Sequence, residues 1–130
     1  MSTVRADNFG NRAGTSSVTA DTLLQGTAKQ WAHFNGTGTL AVTDSFNTSS
    51  VTDVGVGTYE PNFATAQPST NYGVAGVAAG TNPGFFSHGT AFVHTTTSYR
   101  FITAYASDTS GNTTAADYGR IMSTVHGDPA

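Results

Sequence analysis

Cysteine is absent from this 130-residue chain, and charged residues are scarce. Without cysteine the chain has neither disulfide bonds nor thiolate ligands for a metal ion. Charged residues make up 10% of the sequence, against about 25% in ordinary soluble domains. With a net charge of −3, the chain also lacks the basic patch by which nucleic-acid-binding proteins are recognised. We therefore expect no nucleic-acid partner.

Long apolar runs are also missing. The N-terminal segment has no apolar stretch of the kind that defines a secretory signal, and no run reaches the roughly 20 residues that a membrane-spanning helix needs. We expect a protein that has no secretory signal and does not insert into a membrane.

The composition favours a β-rich domain with a thin core. Hydrophobic residues are 37% of the chain, and many of them are alanine, but eight phenylalanines and five tyrosines are spaced along it and argue against disorder. The length corresponds to one domain. Because ordering the backbone costs about 1–2 kcal/mol per residue, so thin a core predicts that subunits bury further surface against each other as a homo-oligomer.

Residues 29–63 contain the clearest strand pattern. Trp31 and His33 lie on one face of a strand, and Ala32 and Phe34 lie on the other. The pair at 35–36, Asn-Gly, predicts a tight hairpin turn. A return strand at 39–46 and a third run that ends at Phe63 then predict a three-stranded antiparallel meander. We expect the core to be built on Trp31, Phe34, Leu40, Val42, Phe46, Tyr59, Phe63 and Phe101.

The rest of the chain predicts an all-β fold. Alternating patterns at 72–79, 91–106 and 118–126 are separated by turn-forming segments, and this spacing is typical of an antiparallel β-sandwich or jelly roll over residues 29–130. Residues 1–28 predict an extended N-terminal arm with a short edge strand, a turn and one helical turn capped by Thr19 or Asp21. The alternative for this arm is an ordinary ragged terminus.

Candidate contact residues come from the arm and from the loops. In the arm, Val4, Arg5 and Phe9 are the candidates for docking on another protein by strand addition. Candidates for exposed binding or interface positions are Tyr72, Phe85, Phe86, His88, His94 and Tyr118. The histidines lack the short paired spacing of metal ligands, so we expect no metal and no cofactor. A site on a symmetry axis at His88 or His94 is the alternative.

No motif predicts catalysis. Glycoside hydrolysis needs a pair of carboxylates. The candidate acidic residues are scattered over turns and strand ends, at Asp44, Asp53, Glu60, Asp108 and Asp117. We therefore expect no enzyme. Trp31 offers an alternative to its role in the core, because an indole ring can stack on a sugar.

Several segments carry a resemblance to a known family. AKQWAHFNGTGT at 28–39, DSFNTSSVTDVGVGTYEPNF at 44–63 and NYGVAGVA at 71–78 resemble a recurrent family of small tailed-bacteriophage virion proteins, and the opening MSTVRADNFGNRAGT is similar to the start of such proteins.

The resemblance implies a non-enzymatic structural component of the virion exterior, most simply a short tail-fibre or host-attachment module that forms a homotrimer. It implies self-association, another tail or capsid protein and a host surface glycan as partners. Because the chain has no repeat of a fibre shaft, the alternative is a capsid decoration protein whose arm clamps the shell. A free carbohydrate-binding module is a further alternative.

Overall fold

The computed structural model describes residues 2–3, 5–82, 84–87 and 93–128. These residues contain eleven strands and one helix, in the order β1 Asn8–Gly10, β2 Ser17–Thr19, α1 Ala20–Gly26, β3 Gln30–Asn35, β4 Ala41–Phe46, β5 Thr48–Gly55, β6 Thr58–Phe63, β7 Gly73–Ala79, β8 Phe85–Ser87, β9 Phe101–Ala106, β10 Thr113–Ala115 and β11 Arg120–His126. Every strand pairing is antiparallel. The expectation of an all-β fold is confirmed.

Two main sheets enclose the core. One is four-stranded, in the order β4-β3-β11-β7; the other is five-stranded and contains β5, β6, β9 and β10, with β8 also paired to β9. Phe34 of the first sheet meets Tyr59 of the second edge to face, with ring centroids 5.2 Å apart. Phe101 and Ile121, one from each sheet, are fully buried beside them. The core therefore lies between the facing sides of the two sheets.

Strands β3 and β11 follow the alternation expected from their sequence. Ala32 and Phe34 are buried on β3, and Ile121 and Val125 are buried on β11, while the residues between them are more exposed. The two strands pair with Ala32 opposite Ser123. Their inner residues therefore form one continuous buried face at the centre of the four-stranded sheet.

The expected three-stranded meander is wrong. Strands β3 and β4 form a hairpin in one sheet, whereas β5 and β6 form a hairpin in the other. The chain crosses between the sheets at Asn47, whose backbone has φ 50°. The Asn47 side chain holds this crossing, since its Nδ2 donates to the carbonyl of Lys29 (2.9 Å) and its Oδ1 accepts from the amide of Thr65 (2.6 Å). Asparagine tolerates this left-handed conformation better than most residues.

The first hairpin turn is also longer than expected. A loop of residues 36–40 joins β3 and β4 in place of a two-residue turn at Asn35 and Gly36. Gly36 is buried in this loop, where a Cβ atom would meet the hydroxyl of Tyr59 and would lie 2.9 Å from Cδ1 of Ile121. Glycine is required here by close packing against the core, and the positive φ lies at Gly38.

Half of the predicted core residues are in the core. Phe34, Tyr59, Phe63 and Phe101 are buried, as expected, and Leu40 packs partly buried against them. The prediction is wrong for Val42 and Phe46, which are 40% and 54% exposed. Both lie on β4, which is an edge strand of its sheet and therefore has a neighbouring strand on one side alone. Trp31 is half-buried and faces away from the core, because the inner face of β3 belongs to Ala32 and Phe34.

The N-terminal region contains the expected short strand and helical turn, together with a second strand. Strands β1 and β2 form a hairpin, and α1 follows directly. The helix begins as expected, with the hydroxyl of Thr19 accepting a hydrogen bond from the amide of Thr22 (3.2 Å). No residue of α1 is buried, so its apolar side chains remain available for contact.

Candidate functional site

The outward side of the four-stranded sheet carries an apolar surface, which we call the outer face. The strand register aligns its side chains in two rows across the four strands. The first row is Phe46, Trp31, Thr124 and Ala75; the second is Asp44, His33, Met122 and Val77. Val77 and Met122 are 46% and 44% exposed. Clustered exposure of large apolar side chains is typical of an interaction surface.

A groove of about 510 Å³ runs along this face. Trp31, Val77 and Met122 line it together with the small residues Ala75 and Gly76, which leave space between the larger side chains. Gly76 cannot be larger, because a Cβ atom would meet the ring of Phe86 beneath the sheet. The groove therefore follows from the packing of small residues in β7 against the core.

Few polar groups face the groove. His33 lies directly opposite Asp44 in the β3–β4 pairing, and one carboxylate oxygen of Asp44 accepts from the amide of Ser45 (2.8 Å). The hydroxyl of Thr124 donates to the carbonyl of Gln30 (3.3 Å). The groove is therefore lined mainly by apolar groups, and its shape suits an apolar side chain.

A second apolar surface lies on the N-terminal elements, and we call it the N-terminal groove. It has a volume of about 360 Å³. Phe9, Leu23 and Leu24 line it and are 43–46% exposed. Arg5 and Asp7 lie at the same groove. Of the three predicted docking residues, Arg5 and Phe9 are thus brought together, and Val4 lies outside the described residues.

Two of the predicted exposed residues belong to the interior. Tyr72 is buried, and its hydroxyl donates to the carbonyls of Thr95 (2.8 Å) and Ser98 (3.0 Å). Burial raises the pKa of Tyr72 to about 12. Tyr118 is also buried, with its hydroxyl on the carbonyl of Ala104 (3.3 Å). These tyrosines bury their rings because each hydroxyl finds a backbone acceptor inside the fold.

The two adjacent phenylalanines point to opposite sides of β8. Phe86 is half-buried and stacks on Phe101, with centroids 4.2 Å apart. Phe85 is 50% exposed, as expected for a surface position. His94 is half-buried, with its ring centroid 4.1 Å from that of Tyr72. His88 lies outside the described residues.

The acidic residues have structural partners. Glu60 accepts hydrogen bonds from Nε (3.0 Å) and Nη2 (2.6 Å) of Arg100. Asp117 accepts from the hydroxyl of Tyr59 (2.8 Å) and from the amide of Gly57 (2.7 Å). The other three of the five carboxylates considered for catalysis accept from backbone amides one or two residues further along the chain, at Asp44, Asp53 and Asp108.

The sequence pattern did not single out Met122, Val77, Leu23 or Leu24. Val77 lies on β7 and Met122 lies on β11, and side chains alternate between the two faces of each strand. Both residues could have been recognised as outward-facing once the inward-facing residues of these strands were known. Leu23 and Leu24 are adjacent in a helix of seven residues. No residue of this short helix is buried, and the two leucines are 43% and 46% exposed.

In the part of the chain that the structure describes, no three histidine, aspartate or glutamate side chains come together as a metal site. No helix among the described residues has the length and apolar character needed to cross a membrane. Comparison with protein-family models, curated proteins and solved structures gave no match.

Proposed function

We propose that this chain is a non-enzymatic structural component of the exterior of a tailed-phage virion, a short tail-fibre or host-attachment module that assembles as a homotrimer. In this proposal the two sheets form a β-sandwich head over residues 29–130, and residues 1–28 are the arm that docks on another virion protein. The sequence resemblance in residues 28–78 supports the virion role.

The observation that carries the docking role is the N-terminal groove. Phe9, Leu23 and Leu24 expose large apolar side chains on the N-terminal elements. In these elements β1 and β2 pair with each other in a separate two-stranded sheet. Covering such surface contributes about 25 cal/mol per Å². The β1–β2 hairpin is a two-stranded sheet, so its edges can accept a further strand from a partner. The occupant that fits is an extended segment of a tail or capsid protein with one or two apolar side chains.

The engagement of the carboxylates supports a non-enzymatic role. Glu60 is neutralised by Arg100, and Asp117 holds Tyr59 and the turn at Gly57. A general acid or base needs access to substrate and a pKa suited to proton transfer. Carboxylates that hold the fold together are poor candidates for this work.

Two other functions are favoured by particular observations. A capsid decoration protein, whose arm clamps the shell, is favoured by the same N-terminal groove and by the missing shaft repeat. Binding to a host surface glycan is favoured by the outward position of Trp31. Sugars also need several hydrogen bonds around the stacked ring, and the groove offers few, so this is the weaker of the two.

Incorporation into particles tests the docking role. Particles that lack this component are mixed with full-length protein, with a chain lacking residues 2–28, or with Leu24→Asp, and are then sedimented. The matched control is Val56→Asp, which places the same charge on an exposed apolar residue (65% exposed) of the β5–β6 turn. We expect the truncated chain and Leu24→Asp to stay in the supernatant and Val56→Asp to sediment with the particles.

Equal incorporation of all four proteins would show that attachment does not use the N-terminal groove. Circular dichroism of the truncated chain supplies the second readout. Loss of the β signal on truncation would show that residues 1–28 belong to the core, and the proposed division at residue 28 would then be wrong.

A further inference from the structure

A cleft where the β7–β8 loop meets the end of β9 carries the free polar groups that the outer face lacks. Two neighbouring hollows, of about 320 and 260 Å³, share Asn82 and Tyr105 as lining residues, and we call the two together the loop cleft. Phe85 lines the larger hollow, and Asp117 lines the smaller one. Ligand sites have volumes of about 300–1,000 Å³, so the cleft is large enough for a small ligand.

Packing against a buried ring fixes one wall of the loop cleft. A Cβ atom at Gly80 would lie 2.9 Å from Cδ1 of Tyr118, and one at Gly84 would lie 3.0 Å from Cε1 of the same ring. Glycine at both positions lets the β7–β8 loop approach Tyr118 this closely. Thr81 and Asn82 are thereby placed in the same loop, at the mouth of the cleft. The wall is therefore held by the core, although its residues are exposed.

Several polar groups of the cleft are free to bind a ligand. Oδ1 of Asp117 already accepts two hydrogen bonds within the fold, whereas Oδ2 accepts none from the described residues. Within the same part of the chain, the side chains of Thr81 and Asn82 and the hydroxyl of Tyr105 make no hydrogen bond. Together they offer a carboxylate acceptor, an amide, and two hydroxyl groups that both donate and accept.

We propose that the loop cleft binds a neutral saccharide, with the ring of Tyr105 stacked on the sugar and with Asp117 and Asn82 bonded to adjacent hydroxyl groups. This inference deepens the host-attachment role proposed above, on which its biological meaning rests. A pyranose ring presents an apolar face of C–H groups and a rim of hydroxyl groups. An aromatic side chain with a polar edge suits the face, and groups that donate and accept satisfy the rim.

The larger hollow extends the site to a second sugar unit. Phe85 is 50% exposed and lines this hollow together with Asn82 and Tyr105. In the sheet, Phe85 pairs with the residue that precedes Tyr105. A chain of two sugar units would therefore meet one aromatic residue in each hollow, and a disaccharide should bind more tightly than either of its sugars alone.

Charge selects a neutral sugar. Among the described residues, Asp117 is the one with a formal charge that lines either hollow. An acidic sugar would bring a second carboxylate toward Oδ2 of Asp117 with no cation beside it, and such juxtaposition of like charges is unfavourable. A metal ion suits the cleft less well, because calcium takes six to eight oxygen ligands and one carboxylate is available.

A peptide also suits the cleft less well than a sugar. An extended peptide binds by pairing its backbone with an open strand edge. At this end of β9 both edges are occupied, since Tyr105 pairs with Thr114 of β10 and Ala104 pairs with Phe85 of β8. The groups that remain for a ligand are therefore side chains, as sugar recognition requires.

Nuclear magnetic resonance titration of the isotope-labelled full chain tests the proposal. The probes are methyl glycosides of glucose, galactose, mannose and rhamnose, the disaccharides maltose and lactose, and methyl glucuronide, each at millimolar concentration. We expect a neutral probe to shift the amide signals of Asn82, Tyr105 and Asp117 and to leave those of the outer face unchanged. A disaccharide should bind about tenfold more tightly than its methyl glycoside, and methyl glucuronide should cause no shift.

Variants assign the binding to the side chains of the cleft. Tyr105→Ala and Asn82→Ala should each weaken binding by about tenfold, and Tyr105→Phe, which keeps the ring, should weaken it less than Tyr105→Ala. The matched controls are Phe46→Ala, an exposed aromatic residue of the outer face, and Asn71→Ala, an exposed asparagine before β7. Both controls should bind as wild type.

Asp117→Asn tests the role of charge without removing the acceptor that the fold uses. The asparagine keeps one oxygen for the hydrogen bonds of Oδ1 and replaces Oδ2 by an amide. This variant should bind neutral probes about tenfold more weakly and should no longer exclude methyl glucuronide. Circular dichroism confirms that each variant is folded. If Tyr105→Ala is not folded, Asn82→Ala and Tyr105→Phe still decide the matter, since both leave the buried residues unchanged.

Three outcomes would overturn the saccharide site. These are the absence of any shift in the cleft with every neutral probe, methyl glucuronide binding wild type as tightly as the neutral sugars, or binding that Trp31→Ala abolishes and Tyr105→Ala leaves intact. Particle sedimentation of Asn82→Ala separates this failure from failure of the proposed function. A chain that joins particles but binds no sugar contradicts the saccharide site alone, and a chain that binds sugar but never joins particles contradicts the virion role.

Discussion

The hydroxyl of Tyr99 joins the two sheets inside the core, and its removal is the sharpest test of the packing. Tyr99 is fully buried just before β9. Its hydroxyl donates to Oε1 of Gln30 (2.9 Å) and shares a 2.7 Å hydrogen bond with Oγ of Ser123. Gln30 and Ser123 are themselves buried and belong to β3 and β11 of the opposite sheet.

Tyr99→Phe deletes this hydroxyl and leaves both partners without it. A buried polar group that loses its partner costs about 1–3 kcal/mol. The hydroxyl of Ser123 can rotate toward another acceptor, so we expect a loss of about 2–4 kcal/mol in the free energy of unfolding, less than the full sum for two groups. Since small domains have about 5–15 kcal/mol in total, the variant should still fold.

Urea unfolding followed by Trp31 fluorescence measures this loss. With an m-value of about 1–3 kcal/mol/M, the midpoint should fall by roughly 1–2 M. Tyr105→Phe is the matched control, because Tyr105 is half-buried and its hydroxyl holds no comparable pair of buried groups. Adding Ser123→Ala to Tyr99→Phe should cost less than the sum of the single changes. A Tyr99→Phe midpoint equal to that of wild type would refute the claim that these hydrogen bonds tie the sheets together.

Three further predictions concern stability. Trp31→Ala should cost roughly 1 kcal/mol, because the ring is half-buried on the outer face, whereas Phe34→Ala should cost about 3–5 kcal/mol; equal urea midpoints would place Trp31 in the core. Gly57 and Gly38 have φ +63° and +66°, but a Cβ at Gly57 would meet backbone atoms of residues 103 and 116 while one at Gly38 would meet nothing within 4 Å. Gly38→Ala should therefore lose about 1–2 kcal/mol and Gly57→Ala at least 1 kcal/mol more, and thermal melts in which the two lose the same amount would contradict the packing at Gly57. Burial raises the pKa of Tyr72 from 10.0 to about 12, so its stabilising effect is complete below pH 10 and is lost as the pH rises to about 12. Urea midpoints should fall across this window, and less steeply in Tyr72→Phe; identical slopes would exclude Tyr72 as the cause.

Alternation along a strand was predictable, but which side faces the core was not. The pattern at residues 30–34 separates Trp31 and His33 from Ala32 and Phe34, and the structure keeps this separation. Both Trp31 and Phe34 were expected in the core, although they lie on opposite faces of the strand. The core is instead filled by Phe34 and by aromatic residues from distant strands, Tyr59 and Phe101. Only these long-range contacts decide the direction, and a local pattern does not contain them.

The crossing of the chain between the two sheets could not be predicted from the sequence, for a different reason. The segment at 45–48, Ser-Phe-Asn-Thr, contains no glycine or proline to mark a break. Asn47 makes the crossing through hydrogen bonds to Lys29 and Thr65, both 18 residues away in sequence. An asparagine between two strand patterns is a weak local signal, and its partners become apparent only in three dimensions.

The candidate surfaces were predicted in part. Arg5 and Phe9 were expected on a docking surface, and both line the N-terminal groove. Tyr72 and Tyr118 were expected to be exposed because they lie next to loops, yet each hydroxyl reaches a backbone carbonyl inside the fold. Whether a tyrosine hydroxyl finds a hydrogen-bond acceptor inside the fold depends on where another segment of the chain lies. The sequence does not give that position.

Analysis of purified particles tests the central claim of a virion structural role most directly. Particles produced by the genome that encodes this chain are purified on a density gradient, and the copy number per particle is measured by quantitative mass spectrometry. The proposed role predicts that the chain bands with the particles, in a fixed copy number that is a multiple of three. Recovery of the chain from the soluble lysate alone, with particles complete and infectious in its absence, would contradict it.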